Sequence, residues 1–243
     1  MKKIILTIFI LLFSTSLLAF GNPSGFQNIS STALQNGISS YTTEASSKGK
    51  SKISYSEMIN FLKKSEDPKK IMVLGILYSQ DSVTPDDYGE IIHHNIELSK
   101  KYLLNAYQLG EVRALTILAG LILYNDNMAK LDPKLELTEK YLEESYSKGD
   151  NEAGLLLATT KILKMKYQEG IKLLLSIKND PEADLSLAII FKKGIYSEKL
   201  NKMVVLPNDK LANYYLNKAC TAENKSDYVN NFCSSKSVET YTK

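Results

Sequence analysis

Two short sequence phrases recur in alternation along the chain, and this self-similarity constrains the fold more than any other feature. The first phrase has a small residue and, four positions later, a leucine followed at once by alanine or glycine. Its three clear copies begin at Ala114, Ala153 and Ala183, and a weaker one begins at Lys70. Spacings of four place these residues on one face of a helix. Each copy therefore predicts a helix whose small residues let a neighbouring helix pack closely.

The second phrase is an aromatic residue and a leucine, with a small residue four positions after the aromatic. Its copies begin at Tyr102, Tyr141 and Tyr215. We expect these tyrosines in the core. Gly110 and Gly149 each stand eight positions after the tyrosine of their copy, where they suit the left-handed residue that ends a helix.

Helices joined by such short turns form pairs, and successive pairs stack to bury one continuous core. We therefore predict an all-α fold, an α/α solenoid of antiparallel helix pairs, over residues 54–236, with a tail over residues 237–243. A capping box at Ser54–Glu57 marks the first helix. The third pair lacks the aromatic phrase and runs Ile171–Ile177 instead. An irregular helical domain is the alternative, but two alternating phrases that each recur three times favour the repeat.

The residues of these phrases resemble the Sel-one-like repeat, an α/α solenoid family related to tetratricopeptide repeats. The resemblance is clearest at Leu118-Ala119, at Phe191 and Gly194, and over Asp209–Ala219, and it extends from about residue 67 to residue 223. The copies here are degenerate and unequally spaced, whereas the family's unit is nearly constant in length. The resemblance implies a repeat scaffold that binds other proteins.

The N-terminus has the pattern of a secretory signal peptide. Lys2 and Lys3 precede an unbroken apolar run over Ile4–Phe13, and a small and polar stretch follows. We predict a signal over residues 1–21, cleaved after Gly21, and a flexible segment over residues 22–53 that is rich in serine, glycine, threonine and asparagine. The alternative is a retained membrane anchor, but its apolar run is interrupted and short for a span. The pattern predicts a periplasmic or secreted protein.

The chain has two cysteines, Cys220 and Cys233, and in an oxidising compartment such a pair predicts a disulfide. Closing a loop of that size stabilises by about 3 kcal/mol in the chain-entropy model. A metal pair or a reactive thiol is the alternative, but no histidine or further cysteine lies nearby in sequence. Lys218-Ala219-Cys220 also resembles a disulfide-bearing secreted branch of the family. From that resemblance we expect the bridge to tie the last helix pair to a capping helix near Tyr228–Ser235.

Charge and composition exclude several classes of partner. The sequence has 30 basic and 27 acidic residues, which gives a net charge of +3. This balance is too even for the positive surface that binds nucleic acid. Arg113 is the only arginine, so the chain cannot build an arginine clamp for phosphate or carboxylate. We predict no nucleic-acid partner, no membrane span after signal cleavage and no cofactor.

The disulfide-bearing branch that this chain resembles is associated with β-lactam binding and hydrolysis, which makes serine motifs of that chemistry relevant. Ser47 and Lys50, and Ser145 and Lys148, have the Ser-x-x-Lys spacing of penicillin-recognising acylases. Neither pair has the companion motifs, and such a short pattern arises easily in a lysine-rich chain. We therefore predict no catalytic residue. A β-lactam-binding or cell-wall-active enzyme remains the alternative that the resemblance keeps open.

Metal and acid–base sites are also disfavoured. His93 and His94 are neighbours on a predicted helix that bears Glu90 and Glu97, and the ligand sets they offer fall short of a closed zinc site. Two acidic pairs read as solvent-facing or capping residues, namely Asp86-Asp87 and Glu143-Glu144. We predict no metal site.

Binding is therefore the predicted function, with an envelope component or a toxin as the protein partner, in an adaptor or immunity-type role. The predicted contact residues lie in or beside two insertions, Ser79–Gly89 and Ile195–Asn208. They are Tyr78, Tyr88, Tyr196, Met203 and Val204. Tyrosine supplies large rigid contact area together with a hydroxyl group. The apolar run Met203–Leu206 predicts either a packed flap or an exposed anchor.

Overall fold

The structure, a computed structural model, describes residues 55–79, 95–125, 132–197 and 199–234. Within these ranges the chain forms ten helices and one hairpin. The helices are α1 (Tyr55–Lys63), α2 (Pro68–Ser79), α3 (Ile96–Gln108), α4 (Arg113–Asn125), α5 (Asp132–Ser147), α6 (Asn151–Leu163), α7 (Tyr167–Ser176), α8 (Pro181–Lys193), α9 (Asp209–Thr221) and α10 (Asp227–Ser234). The strands, between α8 and α9, are β1 (Ile195–Ser197) and β2 (Lys202–Val205). None of these described helices is long and apolar enough to cross a membrane.

The predicted helical class is confirmed, with one departure. The insertion expected as a loop contains an antiparallel hairpin of β1 and β2. The predicted signal over residues 1–21, the segment 22–53 and the tail 237–243 lie outside the described residues. The chain divides into two compact units with the boundary between Asp150 and Asn151. We call their described parts the N-terminal unit (residues 55–150) and the C-terminal unit (residues 151–234).

In the N-terminal unit, α2 packs most extensively on α3, and α4 packs on α5. The α2–α3 contact is close because Gly75 has no side chain: a Cβ there would lie 2.6 Å from Cγ of Leu103. The buried Ser99 hydroxyl donates a hydrogen bond of 2.7 Å to the carbonyl oxygen of Gly75. The weak first copy of the phrase therefore marks a true close approach of two helices.

In the C-terminal unit, α6 packs on α7, and α8 packs on α9. In the first of these pairs the close approach falls at Gly170, where a Cβ would lie 2.8 Å from the carbonyl oxygen of Ala158. Leu174 is buried four residues later, and Ile177 is buried after it. The pair that lacks the aromatic phrase thus keeps a small residue at the contact and fills the space with aliphatic side chains.

The alanines and leucines of the two phrases lie in the core, as predicted, whereas the tyrosines, which were also expected there, do not reach full burial. The alanines and leucines of both phrases are buried: Ala114, Leu118, Ala119, Ala153, Leu157, Ala158, Ala183, Leu187, Ala188, Leu103, Ala106, Leu142, Leu216 and Ala219. The three tyrosines of the second phrase are half-buried and pack against the apolar clusters. Gly110 and Gly149 have φ of +102° and +96°, which confirms them as left-handed helix ends.

The C-terminal cap also agrees with the prediction. A disulfide joins Cys220 in α9 to Cys233 in α10, with 5.7 Å between the two Cα atoms. Val229 of α10 is fully buried in an apolar cluster that includes Leu185 and Leu216. The short helix α10 therefore covers the outer face of the α8–α9 pair and is held there covalently.

Candidate functional site

The hairpin is the described feature that departs most from the repeat pattern, and Gly194 makes it possible. This residue ends α8 with φ of +68°, a value that side chains other than glycine rarely adopt. A Cβ at Gly194 would also lie 2.5 Å from the carbonyl oxygen of Val205. The chain can therefore leave α8 and pass directly against β2.

The hairpin is anchored on one side and exposed on the other. Ile195 pairs with Val205, and both side chains are buried in the apolar cluster formed with α6, α7 and α8. A register shift after Ile195 leaves Val204 as the extra residue of a bulge. Leu206, at the end of the apolar run, is 70% exposed. The sequence left two interpretations of the run Met203–Leu206, a packed flap and an exposed anchor. Val205 is buried, as in a packed flap, whereas Leu206 is exposed, as in an exposed anchor.

An open groove of about 430 Å³ lies between β2 and the start of α7. It is lined by Met165, Lys166, Tyr167, Gln168, Glu169, Leu200, Lys202, Met203 and Val204. Met165 and Leu200 are 54% and 56% exposed, high values for apolar side chains that share one groove. The volume of the groove falls in the size range of a ligand-binding site, and its lining mixes apolar with charged and polar side chains.

Met165 stands out within the groove because its backbone is left-handed, with φ of +60°. Its N–H bonds to the carbonyl oxygen of Ile162 at 2.9 Å, so it closes the C-terminal turn of α6. A residue with a Cβ pays about 1–2 kcal/mol in this conformation, and glycine or asparagine serves such a turn better. An exposed methionine at this position is a poor choice for folding alone, which favours a role in contact.

The charges around the groove are mainly positive. Lys166 and Lys202 line it and are exposed, against one acidic lining residue, Glu169. The Glu169 carboxylate already lies 3.4 Å from the ammonium nitrogen of Lys161. A ligand that enters the groove therefore meets apolar side chains flanked by lysines.

Two of the five predicted contact residues, Met203 and Val204, line the groove. Tyr196 lies opposite Met203 on β1, and its hydroxyl donates a hydrogen bond to the Asn201 side chain in the hairpin turn. Tyr78 lies in the N-terminal unit, where its ring stacks on Tyr102 with 5.7 Å between centroids. Tyr88 lies outside the described residues.

Met165, Tyr167 and Leu200 were not among the predicted contact residues, but the fold brings them into one groove with Met203. A signal did exist at Met165: an apolar residue between two lysines, in the turn between two predicted helices. Turns of this kind usually carry glycine or polar residues, so an apolar side chain there marks a candidate contact.

The Ser145 and Lys148 side chains have separate partners in the N-terminal unit. Ser145 is fully buried, with its Oγ 2.8 Å from Thr116 Oγ1 and 3.1 Å from Asp150 Oδ2. The Lys148 ammonium nitrogen lies 3.1 Å from Glu144 Oε1 and is exposed. A nucleophilic serine needs access to substrate and a base within reach. Ser145 is instead fully buried and hydrogen-bonded to Thr116 and Asp150.

The surface network around Lys148 includes Tyr107. The Tyr107 hydroxyl donates a hydrogen bond to Glu144, and the Lys148 ammonium lies 4.8 Å from the centre of the Tyr107 ring. Hydrogen bonds from Tyr107 and then Lys148 lower the pKa of Glu144. Lys148 donates hydrogen bonds to the Tyr107 hydroxyl, at 3.2 Å, and to Glu144, and these two bonds, the first more than the second, raise the pKa of Lys148. Both groups are therefore held in their charged forms, which suits a surface tie between α3 and α5.

Acidic and histidine residues do not form a metal site in the part of the chain that the structure describes, since no three such side chains come together there. Glu97 pairs with Lys100 at 2.9 Å. Glu143 is exposed on α5. Five acidic and histidine residues that the sequence offered for such chemistry lie outside the described ranges, namely Asp86, Asp87, Glu90, His93 and His94. Ser47 and Lys50 lie outside them too.

Comparisons with protein-family models, with curated proteins and with solved structures gave no match for this chain.

Proposed function

We propose that this chain is a non-catalytic scaffold for protein–protein interaction, and that the groove beside β2 contacts its partner. The observation that carries the proposal is the exposure of two apolar residues, Met165 and Leu200, in one groove beside a hairpin that has a buried support. That support is the buried anchor of Ile195 and Val205 on the helices of the C-terminal unit. Binding residues are commonly presented in this way, on loops held by a firm framework.

We further propose that the helix pairs are degenerate Sel-one-like repeats arranged as an α/α solenoid. The packing within each unit supports this: α2–α3 and α4–α5, and α6–α7 and α8–α9, are the extensive contacts, whereas α3–α4 and α7–α8 are smaller. Pairing of this kind, with small residues buried at matching positions, is what a solenoid of two-helix repeats requires.

A periplasmic or secreted location is part of the proposal. The disulfide between Cys220 and Cys233 supports it, because such bonds persist in oxidising compartments. The signal-like N-terminal sequence supports it independently. In that setting the partner is an envelope component or an incoming toxin, which corresponds to an adaptor or an immunity role.

Capture from an envelope extract tests the binding proposal. Mature protein, residues 22–243, is compared with a Met165→Ser, Leu200→Ser double variant. We expect the wild type to retain a defined partner and the double variant to lose it. Deletion of residues 195–208 is a poor test, because it also removes buried Ile195 and Val205.

Leu175→Ser is the matched control for this capture. Leu175 is 49% exposed on α7 and does not line the groove. The control variant should retain the partner. Equal capture by the double variant and the wild type would contradict the assignment of the groove.

The enzyme alternative has a direct test. The mature protein is incubated with a chromogenic cephalosporin, with Ser145→Ala as the comparison. We expect no turnover by either protein, because the Ser145 hydroxyl is buried and bonded to Thr116 and Asp150. Turnover that the substitution abolishes would establish the enzyme.

A further inference from the structure

The β1–β2 sheet has two strands, so β2 is an edge strand. Within the described residues each strand pairs with the other and with no third strand. An edge strand presents backbone N–H and C=O groups that an added strand can use. The lining of the groove includes three consecutive β2 residues, Lys202, Met203 and Val204, and none of β1. The groove therefore adjoins β2 on the side away from its partner strand.

The charges at this edge decide which occupant fits. Lys202 is on the strand, and Lys166 is on the opposite wall of the groove. A second copy of this chain would bring the same lysines to the same edge, and like charges oppose that pairing. A partner that carries carboxylates meets the opposite charge at both walls.

We propose that an extended segment of the partner, alternating apolar and acidic residues, adds to β2 as a third strand. Its apolar side chains lie in the groove against Met165 and Leu200, and its carboxylates face Lys166 and Lys202. Alternation follows from the strand, since successive side chains point to opposite faces. Backbone hydrogen bonds supply affinity and the groove supplies selectivity, as in other cases of strand addition. This inference rests on the proposed binding function and specifies its partner chemistry.

Peptide titration tests the inference with the mature protein. The probe is a fluorescein-labelled ten-residue peptide of alternating valine and glutamate. Binding is followed by fluorescence anisotropy and by amide chemical shifts of the labelled protein. We expect saturable binding, with the largest shifts at residues 199–204. The same peptide with lysine in place of glutamate should bind at least about tenfold more weakly, because like charges then face each other.

Backbone N-methylation of the peptide tests strand addition itself. Methylation at every second residue removes either the N–H groups that face β2 or those that face solvent. One of the two registers should weaken binding about tenfold or more, and the other should bind as the unmodified peptide does. Equal affinity in both registers overturns the added strand. Tighter binding by a helix-forming peptide of leucine, alanine and glutamate also overturns it, in favour of a helix in the groove.

Two charge reversals on the protein complete the test. Lys202→Glu should weaken binding of the acidic peptide several-fold and improve binding of the lysine peptide. Lys172→Glu is the matched control, because Lys172 is exposed on α7 and does not line the groove. Equal effects of the two variants overturn the inference. Capture of a partner through the groove with failure of every acidic peptide leaves the scaffold function standing and removes this inference alone.

Discussion

The α4–α5 pair and the α8–α9 pair carry the same two phrases, yet they are stabilised in different ways. At the small position of the second phrase, α5 has Ser145 and α9 has Ala219, and both are fully buried. Ser145 is tied to Thr116 and Asp150 by hydrogen bonds. Ala219 lies in an apolar cluster beside Val229 of α10.

The difference shows that the repeat specifies size rather than polarity at this position. A buried hydroxyl is acceptable only where partners satisfy it, and Asp150 and Thr116 do so in the α4–α5 pair. The α8–α9 pair has an alanine there and gains its stability from a cap, a disulfide and an ion pair instead. The small residue at the helix contact can therefore be polar in one pair and apolar in another, as long as its size stays the same.

The largest expected effect is loss of the disulfide, which has no counterpart in the α4–α5 pair. Replacement of Cys220 and Cys233 by serine should lower the free energy of unfolding by about 3 kcal/mol. The bond covalently fixes α10 over Val229 and Leu216, so hydrogen exchange should increase most in α10 and at the end of α9. Urea unfolding followed by circular dichroism measures the total. An unchanged midpoint would contradict the role of the bridge.

Exchange of the small residues between the two pairs should be harmful in both directions. Ser145→Ala leaves Asp150 and Thr116 with fewer partners, and Ala219→Ser places a hydroxyl in an apolar cluster. Each change should cost about 1–3 kcal/mol, because unsatisfied buried polar groups lose their hydration. The measurement is urea unfolding of the two single variants.

Ala106→Ser is a further comparison for this exchange, since Ala106 occupies the same position in α3 and is fully buried in an apolar cluster. It should behave as Ala219→Ser does. A stabilising effect of serine at either alanine would show that the small position tolerates polarity without a partner.

The ion pairs of the two regions differ in burial, and so should their contributions. Lys218 of α9 lies 2.9 Å from Asp184 of α8, whose side chain is 6% exposed. In the Lys148–Glu144 pair of α5 the carboxylate is 35% exposed, whereas the two lysines are about equally exposed. Lys218→Met leaves the Asp184 carboxylate without this cation and should cost about 1 kcal/mol, a modest value because Lys218 itself is screened by solvent. Lys148→Met should cost less, which a comparison of the two thermal unfolding midpoints checks.

The pH dependence of the Lys218 contribution has a definite sign. The hydrogen bond to Asp184 raises the pKa of Lys218. Its contribution is therefore complete below the ordinary lysine pKa of about 10.4 and is lost as the pH rises through the raised value. The stability difference between wild type and Lys218→Met should shrink at strongly alkaline pH and stay constant near neutrality.

The two regions also show what a sequence can predict. Burial of the phrase residues followed from helical spacing, because Ala114, Leu118 and their equivalents face one neighbour on one side of a helix. The β1–β2 hairpin did not follow, because strands of three and four residues are too short for a strand pattern and their pairing depends on the backbone of Gly194. Met165 and Leu200 are far apart in sequence, so only the folded chain brings them to one groove. Gly170 likewise takes its role from Ala158, a contact that no phrase in the sequence marks.

The smallest expected effect concerns Glu182, at the start of α8. Burial raises the pKa of Glu182, and this effect exceeds the opposing hydrogen bond with Ser226. A carboxyl whose pKa is higher in the folded chain favours folding when protonated, and that advantage is lost as the pH rises through the folded value.

Glu182→Gln keeps an oxygen that can accept a hydrogen bond and removes the charge. The variant should therefore be slightly more stable than wild type at pH 7, and the difference should shrink toward pH 4. Thermal unfolding at both pH values measures it, and Glu136→Gln, at an exposed residue of α5, is the comparison. A wild-type protein that is the more stable of the two at pH 7 would show that the charge of Glu182 contributes favourably despite its burial.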